Sequence, residues 1–466
     1  MDTTGRTVAG EQASGRPGVL NRLGLHRREL RSWAMYDWAA SSVQTTIMVA
    51  VFPIYFIRVA GANVPSEVAN QHLATANAIS VAIVALLSPV LGAIADYSGR
   101  KKQLLSVFLI IGVLSTAAMF FIGSGDLRLA EILYVLSMSS VAATYVFYES
   151  LLPHIASEGE MDRVSTAGYA IGYMGGGVLL ALNLAWIQKP EWFGLPSGGA
   201  LTPDEATLPV RLAFLSVAIW WLVFSLPLFR GVREPPRLLE ADETPRGSVV
   251  RHAFVRLGET FHELRGYRHA FLMLIAFLFY NDGISTIQKM AAAYATELNI
   301  PQNAVITAIL IVQFLGIPFS FLFGIVAGRI GAKRAIFAGL VIYTGISILG
   351  YHMSTATHFY LLAALVGMVQ GGTQALSRSL FANMIPRHKS GEFFGFFSVF
   401  NKFAGIFGPL LFASVIGTTG SSRNAILSVI AFFALGGSLL AFVNVRVGEQ
   451  AAREAERRLV ANEGAR

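Results

Sequence analysis

The chain has 466 residues, of which 54% are hydrophobic and only 14% charged, with 33 phenylalanines and no cysteine. So little charge cannot cover a soluble protein of this length, which makes the class an integral membrane protein, and the missing cysteines exclude disulfides, thiolate nucleophiles and Cys-ligated metals. The net charge of +8 does not point to nucleic acid, because the basic residues stand in short clusters between apolar runs, where they act as topology signals.

Residues 1 to 28 are rich in Gly, Arg and Ser and lack an apolar h-region, so no cleavable signal peptide is expected and the first span should stay in the mature protein. Val19, Leu20 and Leu23 lie there among Arg22, Arg27, Arg28 and Arg31. That pattern reads either as a basic juxtamembrane segment on anionic headgroups or as a disordered tail. Apolar runs of about 20 residues, the length that crosses the hydrocarbon core, then follow one another. They are placed near 34 to 58, 71 to 95, 103 to 123, 129 to 152, 165 to 187 and 208 to 229, and near 268 to 293, 303 to 327, 335 to 354, 357 to 385, 393 to 416 and 424 to 445. The predicted fold class is an all-α integral membrane protein of twelve transmembrane helices in two pseudo-symmetric six-helix halves. Its parts are a tail (1–30), an N-terminal half (31–230), a linker (231–267), a C-terminal half (268–445) and a second tail (446–466).

Lys and Arg gather in the N-terminal tail, in the 2–3 loop (Arg100, Lys101, Lys102), the linker, the 8–9 loop (Arg329, Lys333, Arg334), the 10–11 loop (Arg387, Lys389) and the C-terminal tail. All of these fall on one side of a twelve-span chain, which predicts that both termini are cytoplasmic and that the protein is a multi-pass component of the cell membrane, the bacterial inner membrane in the simplest reading. In the linker, Val250, Phe254, Leu257, Phe261 and Leu264 recur at helical spacing and predict an amphipathic helix. Arg453-Glu-Ala-Glu-Arg457-Arg458 reads as a solvated helical tail.

The loop Gly92-Ala-Ile-Ala-Asp96-Tyr-Ser-Gly99-Arg100-Lys101-Lys102 has a partner half a chain later, Gly324-Ile-Val-Ala-Gly328-Arg329-Ile-Gly331-Ala-Lys333-Arg334, which implies duplication. The first copy resembles the 2–3 loop of the major facilitator superfamily, whose members are twelve-span transporters built from two six-helix halves. Ser32-Trp33-Ala-Met-Tyr36-Asp37-Trp38-Ala39, Tyr280-Asn281-Asp282-Gly283, Gln370-Gly-Gly-Thr-Gln374-Ala-Leu-Ser377-Arg378 and Glu392-Phe-Phe-Gly395 resemble its vacuole-effluxer-like branch, also called the unknown major facilitator group. The resemblance implies the major facilitator fold, and fungal members implicated in exporting amino acids from vacuoles suggest a substrate class.

Ionisable groups inside spans are candidates for function because burying them is costly. At ~1.5 Å per residue, Asp282 lies about 14 residues into span 7 and Lys402 about 10 into span 11, both near the midplane. The resemblance makes these spans neighbours at the central cavity, so an Asp282–Lys402 ion pair is expected, either as a working element or as a fixed lock. Lys289, on the same face as Asp282, is expected either to snorkel to the outer interface or to bind an anionic group. Asp37, Ser41 and Gln44 form one polar stripe on span 1, with Asp37 only about one turn inside the membrane, where water can reach it, and Gln370, Gln374, Ser377 and Arg378 form another on span 10, to hold a polar solute or to bond helix to helix. Arg378 could take a carboxylate, and Asn281 and Asn401 complete the candidate substrate or coupling-ion set. Gly168, Gly172 and Gly176 have the spacing of a close helix contact, sliding or static.

The predicted cytoplasmic gate is Gly92, Asp96, Gly99, Arg100 and Glu149. Asp96 ends a helix, where the dipole disfavours an anion, so it needs a positive partner. The resemblance implies Arg100 and the start of span 11 near Gly391, with Glu149 a second partner for Arg100. Since Gly328 and Ala382 replace Asp96 and Glu149 in the repeat, the charged latch is expected in the N-terminal half alone.

These features predict a secondary transporter for a small polar solute, an amino acid or similar metabolite with efflux as one direction, working by alternating access and coupled to protons through Asp282 or Asp37. No P-loop, H-E-x-x-H or G-x-S-x-G occurs, so neither ATP, a cofactor, a metal nor a catalytic residue is expected. A lipid flippase on the same fold and an integral membrane enzyme are the alternatives. The expected partners are the solute, protons and the bilayer, with no nucleic acid and a monomeric state.

Overall fold

The computed structural model describes residues 19–157, 159–199, 201–235, 262–298 and 300–464. Twelve helices in it are long and apolar enough to cross a membrane: Arg28–Ala60, Gln71–Ser98, Lys101–Phe121, Leu127–Ile155, Met161–Gln188, Pro203–Gly231, Arg268–Ala291, Thr307–Ile330, Ala332–Tyr351, Ala356–Asn383, Arg387–Thr419 and Ser422–Ala441, spans 1 to 12 in order. The expected twelve spans are therefore present, and no strand occurs among the described residues. An even number of crossings puts the start of span 1 and the end of span 12 on one face, here the terminal face; the other is the distal face.

Spans 1 and 11, which both line the site, depart from regular α-helix over several residues; span 3 departs only in its last turn, Met119–Phe121, and span 12 only at Val429. Span 1 is α-helical over Arg28–Ser42 and widens into π-helical turns over Val43–Ala50 and again over Phe56–Ala60. Between them Pro53 cannot donate, and the Val51 amide reaches five residues back to the Thr46 carbonyl at 2.9 Å. Span 11 was expected as one helix over 393 to 416. It is instead broken between Ser390–Phe403 and Phe407–Thr419, with Gly405 at φ +99°. That conformation is open to glycine and strained for other residues. Gly408 and Pro409 then open the second half, where a missing amide hydrogen costs little.

The halves meet along span 2 against the first half of span 11, and along span 5 against spans 8 and 10. The approach is close on the terminal side: a Cβ on Gly92 would overlap the Gly391 carbonyl, and one on Gly395 would lie 2.5 Å from the Ser88 carbonyl oxygen. Gly168, Gly172 and Gly176 do not serve that interface as a set. They pack on Asp37, Ser41 and Thr45 of span 1, a static contact inside the N-terminal half.

The amphipathic linker helix falls on residues 236–261, outside those described, apart from Leu264, which is buried. The C-terminal tail is a helix over Val445–Gly464, but it is not merely solvated. Ala452 and Leu459 are buried, and Glu456 accepts from the Arg387 amide at 2.8 Å. Of the N-terminal tail, Leu25 is buried, and Arg27 is paired with Glu160 in the 4–5 loop, so this stretch packs on protein.

Candidate functional site

A cavity of about 1280 Å³ lies between the halves, reaching from Arg58, Gln188, Thr207 and Met353 at the distal ends of their spans down to Asp37, Glu149, Tyr169, Gln374 and Phe397. It opens toward the distal face and ends on a polar floor. Its upper walls are apolar, with Val81, Val141, Ile309, Val312 and Val366 among the residues that line them.

Under the floor lies Arg378, fully buried, which crosses from span 10 into the N-terminal half. Its Nε donates to Ser165 Oγ and its Nη2 to the Ser165 carbonyl, each at 2.9 Å. Nη1 stands 3.6 Å from Asp37 Oδ2 and 3.8 Å from Glu149 Oε1. The rings of Tyr169 and Trp33 lie 4.7 and 5.0 Å from the guanidinium carbon. A buried cation survives only when paired and hydrogen-bonded, and a flat guanidinium suits this enclosure of carboxylates, carbonyl and aromatic faces. Asp37 Oδ2 also accepts from Tyr148 at 2.6 Å, and Oδ1 from Tyr145 at 3.3 Å. One guanidinium thus faces two carboxylates, both of which line the cavity.

This geometry corrects two expectations. Asp37 is no shallow, wetted group: its side chain is 6% exposed, because Tyr145 and Tyr148 of span 4, Gly168 and Gly172 of span 5 and Arg378 of span 10 pack around it. Glu149 pairs with Arg378 rather than Arg100, because span 4 turns its carboxylate inward. The carboxylate that Arg378 takes is supplied by the protein itself.

On the C-terminal wall, Asn281 donates to Asn401 at 2.9 Å and accepts from Gln374 at 3.4 Å, joining spans 7, 11 and 10. Gln370, Gln374, Asn401 and Lys402 line the cavity, as do Ser41 and Gln44 opposite; Asn281, Asp282 and Arg378 do not. The expected Asp282–Lys402 pair is absent. Asp282 accepts instead from the amides of Gly405 and Gly408 at 2.6 and 3.0 Å, because the broken span 11 presents free N–H groups that an intact helix would have hidden. Lys402 interacts electrostatically with Glu149 across the cavity. Lys289 does not snorkel: its ammonium donates to the Gly405 carbonyl at 3.0 Å. Three cations and three carboxylates therefore surround the floor, with Asp37 and Glu149 on one half and Lys402 and Lys289 on the other.

The terminal face is shut beneath this floor. Asp96 Oδ2 accepts from the Glu392 amide at 2.8 Å, so the start of span 11 is a partner, as expected. The positive partner is Lys101 at 2.8 Å and not Arg100, which is exposed in the loop. Gly99 at φ +61° closes span 2 and turns the chain so that Lys101 begins the next helix facing inward. Lys101 continues to Ser390 at 2.7 Å and His154 at 3.3 Å. A second contact lies across the bundle, where Ser379 of span 10 donates to Asp162 of span 5 at 2.5 Å. Both carboxylates belong to the N-terminal half, in line with the asymmetry seen in the repeat. Lys101, Asp162, Ser165 and the tyrosines escaped sequence reasoning, since nothing in their spacing shows which face of a helix meets the other half.

Residues 67–453 match the model of a family described as vacuole effluxer Atg22 like. The chain is 36% identical over 417 residues to the uncharacterized MFS-type transporter YxiO of Bacillus subtilis (strain 168), covering 89% of this chain and 95% of that one. It is 25% identical to autophagy-related protein 22 of Yarrowia lipolytica, over 84% and 76% of the two chains. Among solved structures it resembles the major facilitator transporter FucP in its outward conformation, with TM-score 0.65, 12% identity and coverage of 91% and 99%. It also resembles the proton:xylose symporter XylE, with TM-score 0.66, 14% identity and coverage of 91% and 96%.

Proposed function

From the chain's membership of the Atg22-like vacuole effluxer family of major facilitator transporters, we propose that it moves a zwitterionic solute of the amino-acid class by alternating access, coupled to protons. The observation that carries this reading is the separation of sign across a charge-balanced floor. An ammonium group would meet Asp37 and Glu149, a carboxylate would meet Lys402, and the apolar upper walls would take a side chain. A solute with a net charge would leave one of these groups uncompensated.

The arrangement also supports coupling. Asp37 and Glu149 share one guanidinium, so a proton on one of them leaves Arg378 paired with the other, and the site changes charge without stranding a buried ion. Of the two, Glu149 has no hydrogen bond from a tyrosine among the described residues and is the better proton carrier; Asp37 is held by Tyr148 and is the better anchor. With the termini cytoplasmic, the distal opening faces outward and the cell membrane is the setting. Efflux is the direction suggested by the family's name.

Thermal stabilisation of the purified protein tests the substrate class. Amino acids with free amino and carboxyl groups should raise Tm, while their N-acetyl and amide derivatives should not. Equal stabilisation by a derivative lacking one charge would overturn the zwitterion reading. Stabilisation by phospholipid alone would favour a lipid substrate.

A further inference from the structure

Span 7 presents Asp282, Ser285, Thr286 and Lys289 to the break in span 11. Asp282 is fully buried; its Oδ1 caps the second half of span 11 through the Gly405 and Gly408 amides, while Oδ2 is buried without a hydrogen-bond partner among the described residues. Thr286 Oγ1 donates to the Asp282 carbonyl at 2.7 Å and keeps its lone pairs free. The Gly405 carbonyl, released from helical pairing by the break, accepts from the Lys289 ammonium. The fit is close: a Cβ on Gly405 would lie 2.7 Å from Lys289 Nζ, and one on Gly408 would lie 2.9 Å from Asp282 Oδ1. Ser285, Thr286, Lys289 and Ala404 line the cavity, so small ions can reach the place.

A carboxylate oxygen, a carbonyl from unwound backbone and a hydroxyl at a break in a membrane helix are the donors that hold small cations in transporters with discontinuous helices. Here the positive charge arrives on a side chain, the Lys289 ammonium, which bonds the carbonyl and acts on the carboxylate electrostatically. We propose that Asp282, Thr286 and the Gly405 carbonyl form a monovalent-cation site whose resident cation is the Lys289 ammonium, and that removing this ammonium lets Na⁺ take its place. The other charge near the site is Lys402, which acts electrostatically on Glu149 and on Lys289. Its repulsion with Lys289 disfavours a second cation beside the ammonium. The native protein is then indifferent to Na⁺ at this position, because its counter-ion is covalently tethered.

The test compares purified full-length protein in NaCl, KCl and N-methylglucamine chloride at equal ionic strength, following Tm and the binding of radioactive Na⁺. Wild type should show the same Tm in all three. K289A should gain a Tm that rises and saturates with NaCl, together with stoichiometric Na⁺ binding, and D282N/K289A should lose both. If K289A can be recovered only in Na⁺, that also supports the site. A K289A protein indifferent to Na⁺, a wild type that binds Na⁺ as K289A does, or failure of both K289A and the double variant to fold would overturn the proposal. None of these readouts uses the transported solute, so they stand or fall apart from the assignment of substrate.

Discussion

At the scale of single residues, Arg378 joins the two halves, and its neighbours dictate what substitution does. R378M leaves Asp37 and Glu149 facing each other without the guanidinium they share, and breaking a buried pair in this way costs on the order of 3–5 kcal/mol. A lower Tm in detergent would show it. R378K keeps the charge but cannot make both bonds to Ser165, so flux in proteoliposomes should fall at least about tenfold, the equivalent of ~1.4 kcal/mol, while most of the stability remains. The gate gives a sharper contrast. The chain has no native cysteine, so a single cysteine placed at Ser398 on the cavity wall reports access from each face. D96N or K101A should raise its labelling from the terminal face, and R100A should leave labelling unchanged. The basic loop was visible in the sequence, but which of three consecutive cations turns inward was not. That depends on the left-handed turn at Gly99 and on the phase of span 3, and neither is encoded in residue type alone.

At the scale of elements, the broken span 11 decides the layout of the C-terminal wall. G405A places a side chain at φ +99° against Lys289 and should cost about 1–3 kcal/mol, read as a fall in Tm. Hydropathy could not reveal the break, because both halves are apolar and the run is continuous. The local chemistry did carry a signal: Gly405 followed by Gly408-Pro409 is poor material for the middle of a helix and good material for a restart. Once the break is missed, Asp282 has no visible donor and is naturally paired with Lys402.

The tail that docks on the 4–5 loop has its own pH dependence. Partial burial alone would raise the Glu160 carboxyl, but the Ser157 amide, the Arg27 guanidinium and His26 outweigh it, and the carboxyl lies below its ordinary value. The docking this provides is complete above the unfolded carboxyl's pKa of about 4.3 and is lost as pH falls through the lower folded value. Protection of residues 19–27 from hydrogen exchange, taken relative to the intrinsic rate at each pH, should therefore fall only in acid. E160Q should show fast exchange at neutral pH as well.

At the scale of the whole molecule, the span count, the doubling and the side on which basic loops gather were all legible, because crossing a bilayer imposes length and charge rules on every segment. The cavity floor was legible as a list of residues and not as an arrangement. Depth along a helix follows from counting, whereas the face a residue presents to the opposite half follows from packing between segments far apart in sequence. Asp37, Glu149 and Arg378 come from spans 1, 4 and 10 and share no local pattern. Their meeting point is nevertheless where the proposed link between solute binding and protons resides. The decisive measurement is flux of a zwitterionic amino acid in proteoliposomes, with and without a pH gradient, for wild type and E149Q. The wild type should accumulate solute only with the gradient, and E149Q should lose accumulation while still exchanging solute across the membrane at equal pH. Gradient-driven accumulation by E149Q equal to that of the wild type would contradict the assignment of Glu149.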